Sequence, residues 1–229
     1  MSGMQKELRA RHRSVLAVLI LQSLVAIGLY LVGAWRNHSS EYWYLVWNLF
    51  LAWVPLGLAY VLFRYLKKNP WFSWQGVLLT LVWLGFLPNS FYMISDFIHL
   101  GSQPRIDLVF DTIMFAAFAI SGLTLGFTSL FLIHKQLLKR MALNRAHLII
   151  AFVLLACGFA IYIGRDFRWN TWDILINPAG LLFDVTDPIL DPAARPEAFS
   201  TAFGFFALLG SIYLVIWRFV GFIASSEQS

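Results

Sequence analysis

The sequence predicts an all-α fold: a polytopic transmembrane helix bundle of about six spans, both termini cytoplasmic, with a long outer loop between spans five and six. Three observations carry that expectation. The 229 residues are 59% hydrophobic and only 13% charged, with a mean hydropathy of +0.70, whereas a soluble domain carries roughly 25% charged residues. The apolar residues fall in six long runs, at 14–35, 42–63, 74–95, 106–133, 146–164 and 199–217. Each is near the ~20 residues a helix needs to cross a hydrocarbon core of ~30 Å. Finally, Lys and Arg are divided unevenly between alternate connections, which is what orients a helical membrane protein.

Taken in order, the elements read as follows. Lys6, Arg9, Arg11 and Arg13 precede the first run as they would in a secretory signal. That run is longer than a typical signal core and lacks a clear small-residue cleavage site, so it reads as a retained anchor. Span two has no Asp, Glu, Lys or Arg between its flanks and ends on Arg64, Lys67 and Lys68. Span three begins at Trp74 and gathers polar residues at its far end. Span four opens on Asp107 and Asp111, an i,i+4 pair on one helix face. Within it, Gly122-x-x-x-Gly126 reads as a close-packing motif. Span five carries the single cysteine, Cys157, in an apolar run. It reads as a small buried hydrophobe, and a lone cysteine excludes disulfides within the chain. The outer loop, 165–198, carries Trp169 and Trp172, suited to the membrane interface, and Pro188, Pro192 and Pro196 break any helix before the last span. Continuous runs without period-two alternation favour helices over barrel strands. The whole chain, 1–229, reads as a single membrane domain.

Twelve basic residues fall on one side: those of the N-terminal tail and of the second and fourth connections, with Arg218. Five fall on the other: Arg36, Arg105, Arg165, Arg168 and Arg195. The positive-inside bias puts the twelve in the cytoplasm. Ten of the 12 acidic residues lie on the opposite, outer side. The net charge of +5 does not point to nucleic acid, because the cations flank spans and no zinc pattern, phosphate loop or basic aromatic sheet motif is present. The expected partner is the lipid bilayer, and the sequence specifies no protein partner.

The chemistry-bearing residues sit at the outer ends of spans three, four and five. On a continuous helix at about 100° per residue, Asn89, Tyr92, Asp96 and His99 project within roughly 80° of one another. Four polar groups on one face should point into the bundle, since in lipid each would cost several kcal/mol. Two physical readings follow. In one, Asp96 and His99 with Asp107 or Asp111 hold a divalent metal such as Zn, Mn or Fe, with Asp96-x-x-His99 presenting two ligands from one helix. In the other, Arg165 and Arg168 neutralise Asp96 and Asp111 in an ionic network that pins the helices or binds substrate. One His and no established metal motif make the network the preferred reading, with a metal cofactor as the alternative.

Phe86-Leu87-Pro88-Asn89-Ser90-Phe91-Tyr92, followed by Asp96-x-x-His99, resembles the pattern of a bacterial membrane family catalogued as domain of unknown function 1361. So do Ile161-Tyr162-Ile163-Gly164-Arg165, Arg168-Trp169-Asn170-Thr171-Trp172-Asp173 and the segment at Pro178. The resemblance covers 43–217. Typical members read Leu-Pro-Asn-Ala-Pro-Tyr. This chain has Ser90 and Phe91 in the middle, which restores a backbone donor and removes a Pro kink. The resemblance implies a multi-span protein of the bacterial plasma membrane and supplies no activity.

Ion-coupled transporters place ionisable groups near the midplane, whereas here they gather at the outer boundary, so small-solute transport ranks third. The first reading is a membrane-embedded enzyme acting on a lipid, lipid-linked or extracytoplasmic substrate. Asp96 and His99 would be its catalytic groups, and Asn89, Tyr92, Arg165, Arg168, Asn170 and Asp173 its substrate-binding groups. The alternative is a non-catalytic accessory or assembly protein whose polar cluster fixes the outer loop.

Overall fold

A computed structural model of the chain describes residues 3–100, 107–167, 176–177, 179–180, 186 and 195–226. Its long helices are α1 Gly3–Asn37, α2 Trp43–Tyr65, α3 Trp74–Tyr92, α4 Leu108–Leu138, α5 Leu143–Asp166 and α6 Pro196–Ser226, with a 3₁₀ turn at Ser95–His99 after α3. There is no strand among the described residues. Six segments are long and apolar enough to cross a membrane: Ser14–Asn37, Trp43–Tyr65, Trp74–His99, Leu108–Leu138, Leu143–Asp166 and Pro196–Ile223. The protein is therefore an all-helical, multi-pass membrane protein, as its composition requires. The spans overlap the expected runs and shift mostly at their ends, where polar residues continue the helices past the apolar stretch. In α4, for instance, the helix runs on through Lys135, whose ammonium lies 4.7 Å from the Phe131 ring centroid.

Neutral groups hold the middle of the bundle. Pro55 lies inside α2 and cannot donate a backbone hydrogen bond. The helix is supported there from outside. Ser90 Oγ of α3 donates to the Ala52 carbonyl at 3.0 Å, and Ser129 Oγ of α4 donates to the Pro55 carbonyl at 2.9 Å. Trp83 Nε1 in turn donates to Ser129 Oγ at 2.8 Å. The two serine bonds tie α3 and α4 to α2 across the proline turn.

The small-residue motif is a packing device, as expected. A Cβ on Gly122 would strike the Ser90 carbonyl and Met93 Sδ, and one on Gly126 would strike the Phe91 ring. Phe91 is fully buried at that contact. Cys157 is likewise buried. The α5 and α6 helices pack along each other, with Gly158 against the Ala202 carbonyl. One core joins α2 to α6 toward the Lys/Arg-rich end, and a second joins α1, the first half of α2 and α4. The α1 helix packs chiefly on α4.

Candidate functional site

The α3 helix stops at Tyr92, and the continuous helical face expected through His99 is not present. The cause is local. Ser95 Oγ donates to the Tyr92 carbonyl at 2.6 Å, taking the acceptor that the Asp96 N–H would use in an α-helix. The Asp96 N–H goes instead to the Met93 carbonyl at 3.4 Å, which tightens the backbone into a 3₁₀ turn.

This turn runs antiparallel along the first half of α2. Asp96 is only 4% exposed, and its Oδ2 accepts a hydrogen bond from Asn48 Nδ2 at 3.1 Å. One helical turn away, the exposed His99 ring meets Tyr44 edge-to-face at 5.8 Å. Asn48 and Tyr44 are four residues apart on one face of α2. Asn89 turns back on its own helix, donating to the Phe86 carbonyl at 3.1 Å. From the last turn of α5, Arg165 Nη1 donates to the Ser95 carbonyl at 3.4 Å. Its charge lies within electrostatic reach of both Asp96 and the half-buried Tyr92. Asp96, Tyr92 and Arg165 thus come together with Asn48, while His99 stands at the rim. Among the described residues, Asp96 Oδ1 accepts no side-chain hydrogen bond, so one carboxylate oxygen is anchored and the other is open.

The carboxylates of α4 are engaged differently. Asp107 caps the helix, Oδ1 accepting from the Phe110 N–H at 3.0 Å, and its Oδ2 pairs with Arg36 Nη2 of α1 at 3.2 Å. Arg36 also lies over the Phe110 ring, 5.1 Å from its centroid. The Phe110 N–H and then the Arg36 charge hold the Asp107 carboxyl below the usual carboxylate range. Asp111 is 3% exposed in the first turn of α4, where the helix N-terminus favours a negative charge. No group of three His, Cys, Asp or Glu with metal-holding geometry occurs among the described residues. Arg168, Asn170 and Asp173 lie outside the described residues.

Two participants escaped sequence reasoning. Asn48 carries no charge and so leaves no mark on the charge pattern, although an amide inside an apolar span is itself a signal. The Arg36–Asp107 pair joins residues 71 apart and left only a local trace, an Asp just before a helix start.

The fold and cluster define a multi-pass helical membrane protein whose buried carboxylate sits where α2, the 3₁₀ turn and α5 meet. A family model described as a protein of unknown function, DUF1361, matches residues 47–212. The chain belongs to that family. The match begins inside α2 and ends inside α6, so it encloses Asn48, Asp96 and Arg165 and leaves α1 outside. No curated protein and no solved structure matches the chain.

Proposed function

We propose that the protein is a membrane-embedded enzyme of the plasma membrane, with its termini cytoplasmic and its site facing outward on a lipid, lipid-linked or extracytoplasmic substrate. The Asp96 carboxylate supports this reading most. A carboxylate oriented through one oxygen keeps the other for proton transfer. This one is oriented by Asn48 through Oδ2 and keeps Oδ1 for a substrate proton. In this reading Asp96 is the general base or acid, and His99 at the rim exchanges the proton with solvent. Arg165, with Arg168, binds an anionic group such as phosphate, and Asn89, Tyr92, Asn170 and Asp173 shape the substrate pocket.

Asp96→Asn tests it, because an amide oxygen still accepts from Asn48 while the proton-transfer group is gone. Untargeted lipidomics would compare membranes from cells expressing wild type, Asp96→Asn and no protein, with membrane accumulation followed by immunoblot. The expected result is a lipid or lipid-linked species altered by wild type alone, with both proteins accumulating equally. An identical change from Asp96→Asn would sink the catalytic role. Elemental analysis of the same preparations separates a metal-assisted version: near-stoichiometric Zn, Mn or Fe, lost in Asp96→Ala and His99→Ala, would make these residues ligands.

The accessory reading draws on a different observation: Asn48–Asp96 and Arg165–Ser95 together tie α2, the 3₁₀ turn and α5. It expects Asp96→Ala, Asp111→Ala and Arg165→Ala to lower stability in a graded way, with no change in membrane composition.

A further inference from the structure

At the Lys/Arg-rich end, the connections after α2 and α4 carry positive charge and contain no carboxylate, since the chain has no Asp or Glu from 43 to 95 or from 112 to 165. Two of the lysines there rest on the same ring. Lys67, just past α2, places Nζ 4.8 Å from the centroid of the Phe63 ring, and Lys139, at the end of α4, places its Nζ 5.7 Å from the same centroid. The two ammonium groups therefore lie within about 11 Å of each other, near one Debye length, where their repulsion is felt. Their backbones are fixed. Arg140, next to Lys139, donates through Nη2 to the carbonyl of Leu66, next to Lys67, at 2.7 Å. Arg140 Nη1 is held by the Gln136 carbonyl at 2.9 Å and Oε1 at 2.8 Å, and its guanidinium lies 5.6 Å from the Trp71 ring centroid. Arg140 thus serves as the brace that sets the spacing of the two lysines.

We propose that Lys67 and Lys139, over the Phe63 ring, bind the phosphate of an anionic phospholipid headgroup. An anion between the two ammonium groups turns their repulsion into attraction. A pre-set pair loses less side-chain freedom on binding than two free lysines would. The site lies where two spans end, so the phosphate meets the lysines at headgroup depth while the Phe63 ring faces the acyl region. A zwitterionic lipid brings its own cation, which the pair repels.

Native mass spectrometry of the detergent-purified full chain, titrated with phosphatidylglycerol or phosphatidylcholine, tests the site. Wild type is expected to retain phosphatidylglycerol preferentially, with each lysine contributing roughly fivefold. Lys67→Gln with Lys139→Gln should abolish the preference, and Lys67→Arg with Lys139→Arg should keep it. The charge-matched control, Arg64→Gln with Arg145→Gln at the same end, should keep it too. Equal loss in both Gln double variants would mean diffuse attraction and overturn the site. So would no preference in wild type, or displacement of the lipid by excess inorganic phosphate, which would mark a free-phosphate site.

Discussion

Asp96 and Lys67 lie near opposite ends of α2, and the fold treats their charges in opposite ways. The carboxylate is drawn between α2 and the 3₁₀ turn, given one amide donor and set near Arg165. The ammonium is left outside, resting on an aromatic ring, as are those of Lys135 and Lys139. Burying an ion costs several kcal/mol unless neighbours replace its water, whereas an exposed lysine on a ring gains about 0.5–1 kcal/mol and risks little. The first arrangement therefore depends on its surroundings, and the second scarcely does.

Four variants would break or sharpen that contrast. The largest effect belongs to Gly122→Val, which drives a side chain into the Ser90 carbonyl and Met93, the contact that seats α3 ahead of the 3₁₀ turn. Overpacking of this kind costs about 1–3 kcal/mol or more. The monodisperse fraction on size-exclusion chromatography should fall severalfold. Asn48→Ala comes next. It strips the buried carboxylate of its side-chain donor at a cost of about 1–3 kcal/mol, read as a lower midpoint in thermal unfolding of the solubilised protein. An unchanged midpoint would mean that Asp96 is not held as described.

Asp107→Asn has a smaller, pH-dependent effect. Asn still caps α4, so the variant loses the charge pair with Arg36 and keeps the cap. Because the folded Asp107 carboxyl lies below its ordinary value, its contribution is full above that value and fades as pH falls through the folded one. Wild type should exceed the variant by no more than about 2 °C at neutral pH, and the two should begin to converge only as pH falls below about 4. Lys67→Gln with Lys139→Gln should change stability in neutral detergent least, by less than about 0.5 kcal/mol. A loss as large as that of Asn48→Ala would erase the distinction between the two ends.

The architecture was legible because apolar length and flanking charge are local properties. Even the contact at Gly122 and Gly126 could be read from spacing. The site was legible only in part. Asp96 and Arg165 declared themselves as ions at one boundary, but the shared face failed because one hydroxyl, on Ser95, changed the helix type beyond Tyr92. That competition between a side chain and the backbone is invisible to a count of 100° per residue. As a result Asp96 and His99, three residues apart, meet different environments: one is buried at Asn48, the other exposed at Tyr44. Partner choice was equally hidden, for the ion pair at Asp107 takes its cation from α1, 71 residues away.

The packing of α1 bears on how the chain is made. Its main neighbour is α4, three spans further along, with Thr124 Oγ1 donating to Gln22 Oε1 at 2.9 Å and the Phe110 ring lying against Gly33. Roughly a hundred residues must be translated between the end of α1 and the end of α4, which at 5–20 residues per second takes about 5–20 s. Throughout that interval the nascent α1 has only its contacts with α2, such as Trp53 Nε1 donating to Ser23 Oγ at 3.1 Å, and lacks its main neighbour. Its final seat is assigned only when α4 arrives, so biogenesis of this bundle includes a late docking step by the helix that was made first.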